Sequence, residues 1–372
     1  MTRAGRPIWL ARPSRFASVG RDRARAALLL LALLLAATLL ALRAPGPQTG
    51  GEATGMDREQ TDLLLYQTIV ERVRHGGDYY PVVAEALRTG GYPLKPFVAF
   101  RMPTLAAVQA RLPDWAVSAL LYALAAAVAL AWWARLAPAL ARPLPRAAAT
   151  ILLAGGALVH VQPALIQLHE TWAGLLVMLS LACRRPGRWV EAAAFGLAAM
   201  LVRETAALYV GVMAVLAWWD GERREALGWA MATAVFAVAV AAHAHAVAQV
   251  VRPLDPTSPG WAGLLGFGFF VRTMIVSTAL GLAPAWAAVP LVGLALFGWA
   301  AWRDPLAVRA LGLFAAYAAL LAVAGRADTF YWGLLAAGPL LVGLAFAPDG
   351  LRDLMRAAIG ERRRITVRRV VR

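Results

Sequence analysis

Cysteine and lysine are almost missing from this chain, with one of each in 372 residues: Cys183 and Lys95. A lone cysteine excludes an internal disulfide, and with no second thiol it excludes a zinc site built on paired cysteines. Cys183 reads as a small apolar filler at a helix end. Acidic residues are also scarce, 21 against 37 basic ones, giving a formal charge of +16. There is no internal repeat, which weighs against a transporter assembled from inverted halves. No large polar domain is present either: 60% of the residues are hydrophobic and only 16% charged, which excludes an ordinary soluble domain. The basic excess does not alternate with aromatics in a polar patch, so nucleic acid is excluded as a partner. Arginine in place of lysine, with abundant alanine, suits a bacterial genome of high GC content.

What the chain does have is apolar runs. Runs at about 27–42, 115–134, 147–162, 170–183, 189–202, 205–219, 226–249, 284–302, 306–324 and 330–347 predict about ten transmembrane helices. The fold class is thus all-α, a polytopic integral membrane protein in one domain over 1–372. The first run follows a long basic segment, with no clean small-residue cleavage site before Arg43, and reads as an uncleaved span. Arginines gather in blocks between runs: Arg3 to Arg25, Arg135 to Arg146, Arg184 to Arg188, Arg223–Arg224, Arg303 and Arg309, and Arg352 to Arg372. With an even number of spans, both termini and all these blocks fall on the cytoplasmic side, as the positive-inside rule requires. Residues 350–372 then form a basic cytoplasmic tail able to touch anionic membrane lipids. The stretch 262–280 is interrupted by Arg272 and reads as an outer interfacial or re-entrant helix.

This topology leaves one long polar segment outside, 43–113, containing amphipathic interfacial helices. Leu63, Tyr66, Val70 and Val73 share a helical face within 60–74, and Gly76–Gly77 ends that helix. Asp62 is placed in its first turn, where free amides favour an anion. It is read either as a general base or as an acid stabilising the helix start, and Asp57 and Glu59 compete for the role. Asp78 is a base candidate or a turn residue. Tyr79 and Tyr80 suit stacking on a sugar ring or an aromatic belt. Arg101, just before the second span, is placed to bind phosphate or to snorkel.

Charges also interrupt the apolar runs. His169–Glu170 and Arg203–Glu204 stand at outer hinges, and Arg326 with Asp328 lies between the last two spans. Such charges are tolerated at membrane depth only where they line a cavity or pair with one another. Arg203 suits a phosphate, or pairs with Glu170 or Glu204 as a packing element. His243 and His245 lack the carboxylates of a metal site.

The run Asp62-x-x-x-Tyr66, continuing through Gly76-Gly77-Asp78-Tyr79-Tyr80, resembles the first outer loop of the GT-C superfamily of membrane glycosyltransferases, in its bacterial mannosyltransferase-like branch. Arg203 and Glu170 are similar in setting to that branch's phosphate-contacting hinge. Three departures stand out: Asp62 lies about 20 residues past the first run, no paired acidic dipeptide is present, and there is no large C-terminal soluble domain. The resemblance implies a polyprenyl-phosphate-sugar donor, a glycan or lipid acceptor, and inverting transfer at the outer face of the inner membrane. In that scheme Asp62 is the base and Arg203, with Arg101 or Arg326, stabilises the departing phosphate. Tyr66, Asp78, Tyr79, Tyr80, His169, Glu170, Glu204 and Asp328 line the substrate sites. No cofactor is required by it; a divalent metal at Asp62 is compatible, though no second carboxylate matches. The rival classes are a transporter or lipid flippase, an O-antigen polymerase or ligase, whose large loop would come late, and a non-enzymatic scaffold.

Overall fold

The computed structural model describes residues 7–44, 55–140 and 142–359, with the side chains of 55–61 left aside. It is all-helical, with no strand among the described residues. The α-helices are α1 Arg21–Thr38, α2 Gly55–Arg74, α3 Tyr79–Thr89, α4 Thr104–Arg111, α5 Asp114–Leu136, α6 Pro143–Ala157, α7 His169–Cys183, α8 Val190–Val202, α9 Ala207–Trp219, α10 Arg223–Val250, α11 Gly266–Val276, α12 Ala285–Ala301, α13 Pro305–Ala324, α14 Leu334–Ala337 and α15 Ala347–Ile359. Four helical stretches are long and apolar enough to cross a membrane: Arg21–Leu42, Asp114–Leu136, Arg223–Val250 and Pro305–Ala324. The other apolar helices among the described residues are shorter, so four stretches, not ten, meet that measure.

Where an expected span is not a straight helix, the cause is visible. The run 147–162 ends as α6 at Ala157 and passes into a 3-10 turn, Val159–Val161, before Pro163. The run 330–347 is broken into 3-10 turns around α14. Pro339 removes an N–H from that ladder, and two neighbouring helices press onto its backbone. A Cβ on Gly156 would come within 2.0 Å of the Gly338 carbonyl oxygen, and one on Gly298 within 1.8 Å of that of Gly343. Only glycine permits such close approach of backbones. The carbonyls freed by the break find donors: Trp299 Nε1 donates to Pro339 and Leu340 O at 3.2 and 3.1 Å, and His160 Nε2 to Leu334 O at 2.9 Å. Broken backbone inside a membrane bundle is stable only with such partners.

Two further expectations change. Of the two readings of 262–280, the surface helix does not hold and the re-entrant one stays open: α11 has Phe269, Phe270, Val271 and Met274 at no more than 1% exposure, because it is set into the bundle against α13 and residues 39–42. The 350–372 stretch does not begin as a loose tail. Through Ile359 it belongs to α15, docked on α1, α12 and residues 8–18, while 360–372 lie outside the described residues. Asp349 of α15 is wholly buried and accepts from the backbone N–H groups of Ile8, Trp9 and Leu10 at 2.6, 2.7 and 2.8 Å. Asp353 accepts from Ser14 N at 3.0 Å.

The segment between α1 and α5 folds as a helical cap with its own small core. Ile69, Val83, Ala84, Leu87, Leu94 and Phe100 pack together and onto Val247 near the end of α10. Arg88 of α3 clamps Asp255, Nε to Oδ1 at 2.8 Å and Nη2 to Oδ2 at 2.7 Å, tying the cap to the loop after α10. Gly76, at φ +91°, ends α2 in a conformation that suits glycine.

Candidate functional site at the Arg203 end of the bundle

Ion pairs identify which helix ends lie together. Arg135 at the end of α5 meets Asp304 before α13, Arg184 after α7 meets Glu225 in the first turn of α10, and Arg309 in α13 meets Asp220 after α9. That is one end of the bundle, and arginines of the blocks that fall among the described residues sit there. The opposite end holds the break between α8 and α9, the start of α7, the cap, and the 3-10 segment Ala327–Gly333.

At this second end the chain breaks at Arg203, whose extended backbone (φ −144°, ψ 115°) stops α8. A 3-10 turn, Glu204–Ala206, restarts the helix, held by Tyr317 OH donating to Thr205 O at 2.9 Å. Arg203 Nε donates to Glu170 Oε1, and Nη1 donates to Glu204 Oε2 at 2.6 Å. Arg101 reaches in from the cap, with Nη2 4.0 Å from Glu170 Oε1 and Nε donating to Tyr66 OH at 3.1 Å. Tyr79 OH donates to the Arg101 carbonyl at 2.8 Å. The His169 ring meets Tyr66 edge to face, centroids 5.2 Å apart. Arg203 also lies over the Trp332 ring, 6.0 Å from its centroid.

Seven of the sequence-derived candidates therefore come together: Tyr66, Tyr79, Arg101, His169, Glu170, Arg203 and Glu204. Burial works against the Arg101 guanidinium, yet Tyr66 and Glu170 outweigh it and raise it above its ordinary value. Burial pushes the Tyr79 hydroxyl up as well, so it stays a donor. Hydrogen bonding in the cluster is incomplete. Glu170 Oε2, Glu204 Oε1, both His169 ring nitrogens and Trp332 Nε1 are buried without a hydrogen-bond partner among the described residues. Native folds satisfy nearly all such groups, so each one left over calls for a reason.

The remaining candidates make their side-chain contacts outside this hydrogen-bonded group, or outside the described residues. Asp62 is not in the first turn of its helix, because α2 already starts at Gly55. It is an interior residue, one turn before Tyr66 on the same face, and accepts from Tyr92 OH. The dipole argument for its anion is lost; the hydroxyl takes its place. Asp57 and Glu59 fall in the part of α2 whose side chains lie outside the described residues. Asp78 is the exposed N-cap of α3 and makes no side-chain capping bond. Tyr80 turns to α10, its OH 3.2 Å from His243 Nδ1. Arg326 and Asp328 pair with each other, Nη2 to Oδ2 at 2.6 Å. The sequence reading missed Tyr92 and Trp332. Their aromatic character reads as belt or core, and only the Trp332 indole N–H, unpaired in an apolar run, signals otherwise.

No group of three or more His, Cys, Asp or Glu among the described residues is arranged to hold a metal ion. A groove of about 530 Å³ runs along α2, lined by Gln67, Arg74, Gln109, Asp114 and Gln167 and by none of the seven clustered residues. No family model matches the chain, and neither a curated protein nor a solved structure matches it either.

Proposed function

We propose that this protein is a membrane glycosyltransferase of the GT-C kind, moving a sugar from a polyprenyl-phosphate donor to an acceptor hydroxyl with inversion. The observation that carries the reading is the meeting of Arg101 and Arg203 with Glu170, His169 and Tyr66, where the amphipathic cap covers the ends of apolar helices. Charge held at that boundary suits a substrate that is part lipid and part polar. The arginines at the opposite end support a cytoplasmic reading of that end, with the cluster then at the outer face of a bacterial inner membrane.

In this mechanism Asp62 takes the acceptor's proton, its carboxylate oriented by Tyr92. The acceptor oxygen bonds to the anomeric carbon. The carbon–oxygen bond to phosphate breaks on the opposite face, and its electron pair leaves with the polyprenyl phosphate. The geometry shifts the phosphate contact from Arg203 to Arg101. Two carboxylates already hold Arg203, whereas Arg101 has only a distant one. A guanidinium aimed at the departing oxygen stabilises the charge that develops there.

Purified protein with lipid-linked sugars tests this. We expect Asp62→Asn to lower transfer about 10²–10⁴-fold and Arg101→Ala about 10²–10³-fold, both without loss of fold. Wild-type transfer by Asp62→Asn would remove it as the base. Lipid-sugar flux across vesicles with no covalent product would favour the transporter class instead.

A further inference from the structure

The groove along α2 is separate from the cluster. Facing α2 across it are the start of α5, at Asp114, Val117 and Ser118, and the turn through Pro163 and Ala164. Asp114–Leu136 is long and apolar enough to cross a membrane, so its first turns stand at the boundary between lipid and water. Trp115, next to Asp114 in the chain, is 75% exposed, which suits an aromatic side chain at that boundary. On the α2 side, Leu63 and Leu64 add apolar surface.

The polar side of the groove is unfinished. Gln167 Oε1 and Arg74 Nε, both on lining residues, are buried without a hydrogen-bond partner among the described residues. The oxygen requires a donor and the N–H an acceptor; native folds rarely leave either unused. Both residues are half-buried, and the terminal amide torsion of glutamine is soft, so small side-chain turns bring these atoms to a headgroup. Charge adds a sign. Arg74 donates to Glu71 Oε2 at 2.8 Å and to Asp114 Oδ1 at 2.7 Å. One cation between two carboxylates leaves a net negative charge. The Asp114 side chain is 87% exposed, within reach of a ligand.

We infer that this groove seats one aminophospholipid, a lipid whose headgroup carries a primary ammonium and a phosphate. The ammonium donates to Asp114 and Gln167, the phosphate accepts from Arg74, and the acyl chains lie against Leu63, Leu64 and Val117. A choline lipid has the same charges but no N–H to donate. A glycerol lipid brings the phosphate without a cation and sets its negative charge against the excess already there. The seated lipid bridges α2 and α5 and so fastens the cap to a span. None of this depends on the transfer reaction, because the groove includes none of the clustered residues.

The test is lipid binding to the full chain, stripped of lipid in detergent and followed by native mass spectrometry. The probes are phosphatidylethanolamine, phosphatidylcholine and phosphatidylglycerol with identical acyl chains. We expect one ethanolamine lipid to bind about tenfold more tightly than either other, the worth of one charge-assisted hydrogen bond. Asp114→Asn removes the excess charge, while Arg74 keeps Glu71 and the Gln109 and Leu112 carbonyls. It should bring the ethanolamine-over-choline ratio down about tenfold. Ala164→Trp, at an exposed position in the groove wall, should abolish the tight site and leave thermal unfolding of the lipid-free protein unchanged. Equal affinity for the three lipids, tighter binding of the glycerol lipid, or an ethanolamine preference that survives either substitution overturns the inference.

Discussion

Two buried arginine–glutamate pairs stand at opposite ends of the bundle and differ in one respect. Arg184 and Glu225, 3% and 1% exposed, form a fork: Nε to Oε1 at 2.9 Å and Nη2 to Oε2 at 2.7 Å, with Trp229 Nε1 also on Oε1 at 3.3 Å. Both carboxylate oxygens are used. Arg203 and Glu170, 4% and 0% exposed, meet through a single Glu170 oxygen, and the other has no partner among the described residues. Chemistry and burial are alike; satisfaction is not. The complete pair fastens α7 to α10. The incomplete one keeps hydrogen-bonding capacity that the fold itself does not use, which is what a binding site requires.

The largest effect should come from cutting the complete pair. Arg184→Ala leaves Glu225 charged and alone, at a cost of about 3–5 kcal/mol. Thermal unfolding in detergent should show it, with transfer per folded molecule unchanged. A strong loss of transfer in the folded variant would erase the distinction between the pairs. Glu170→Gln sharpens the contrast from the other side. It keeps the shape, should cost less stability, about 1–3 kcal/mol, and should lower transfer more than tenfold, whereas Glu225→Gln should lower stability only. The smallest effect concerns the clamp between Arg88 and Asp255. Hydrogen bonds from Arg88, then from the Arg252 N–H, hold the Asp255 carboxyl below its ordinary range. Its contribution is therefore fully present above about pH 4, the unfolded value, and is lost as pH falls further. Hydrogen exchange in residues 252–258 should rise in that window, and Asp255→Asn should abolish the pH dependence.

How much of this was readable beforehand follows from which signals are local. Glu170, Arg203 and Glu204 announce themselves as charges interrupting apolar runs, and Arg101 stands just ahead of one. The helical period on 60–74 gives the cap helix but not its start, since Gly55–Glu59 is polar and glycine-containing. Other features depend on contacts distant in sequence. The break in 327–345 needs Gly156 and Gly298 pressing from other helices. Trp332 becomes a site residue only because Arg203, far back in the chain, passes over its ring. Tyr92 gains meaning from Asp62 for the same reason, and Arg184 from Glu225.

The Asp349 latch has a consequence for the making of the molecule. Its carboxylate captures the amides of residues 8–10, which lie 339–341 positions earlier. A ribosome adding about 5–20 residues per second needs tens of seconds to travel that far. Residues 8–10 are thus made tens of seconds before the carboxylate that accepts from their amides. Until α15 is made those three amides lack that acceptor, although the neighbouring Ala11 N–H already has the Ala139 carbonyl at 2.7 Å.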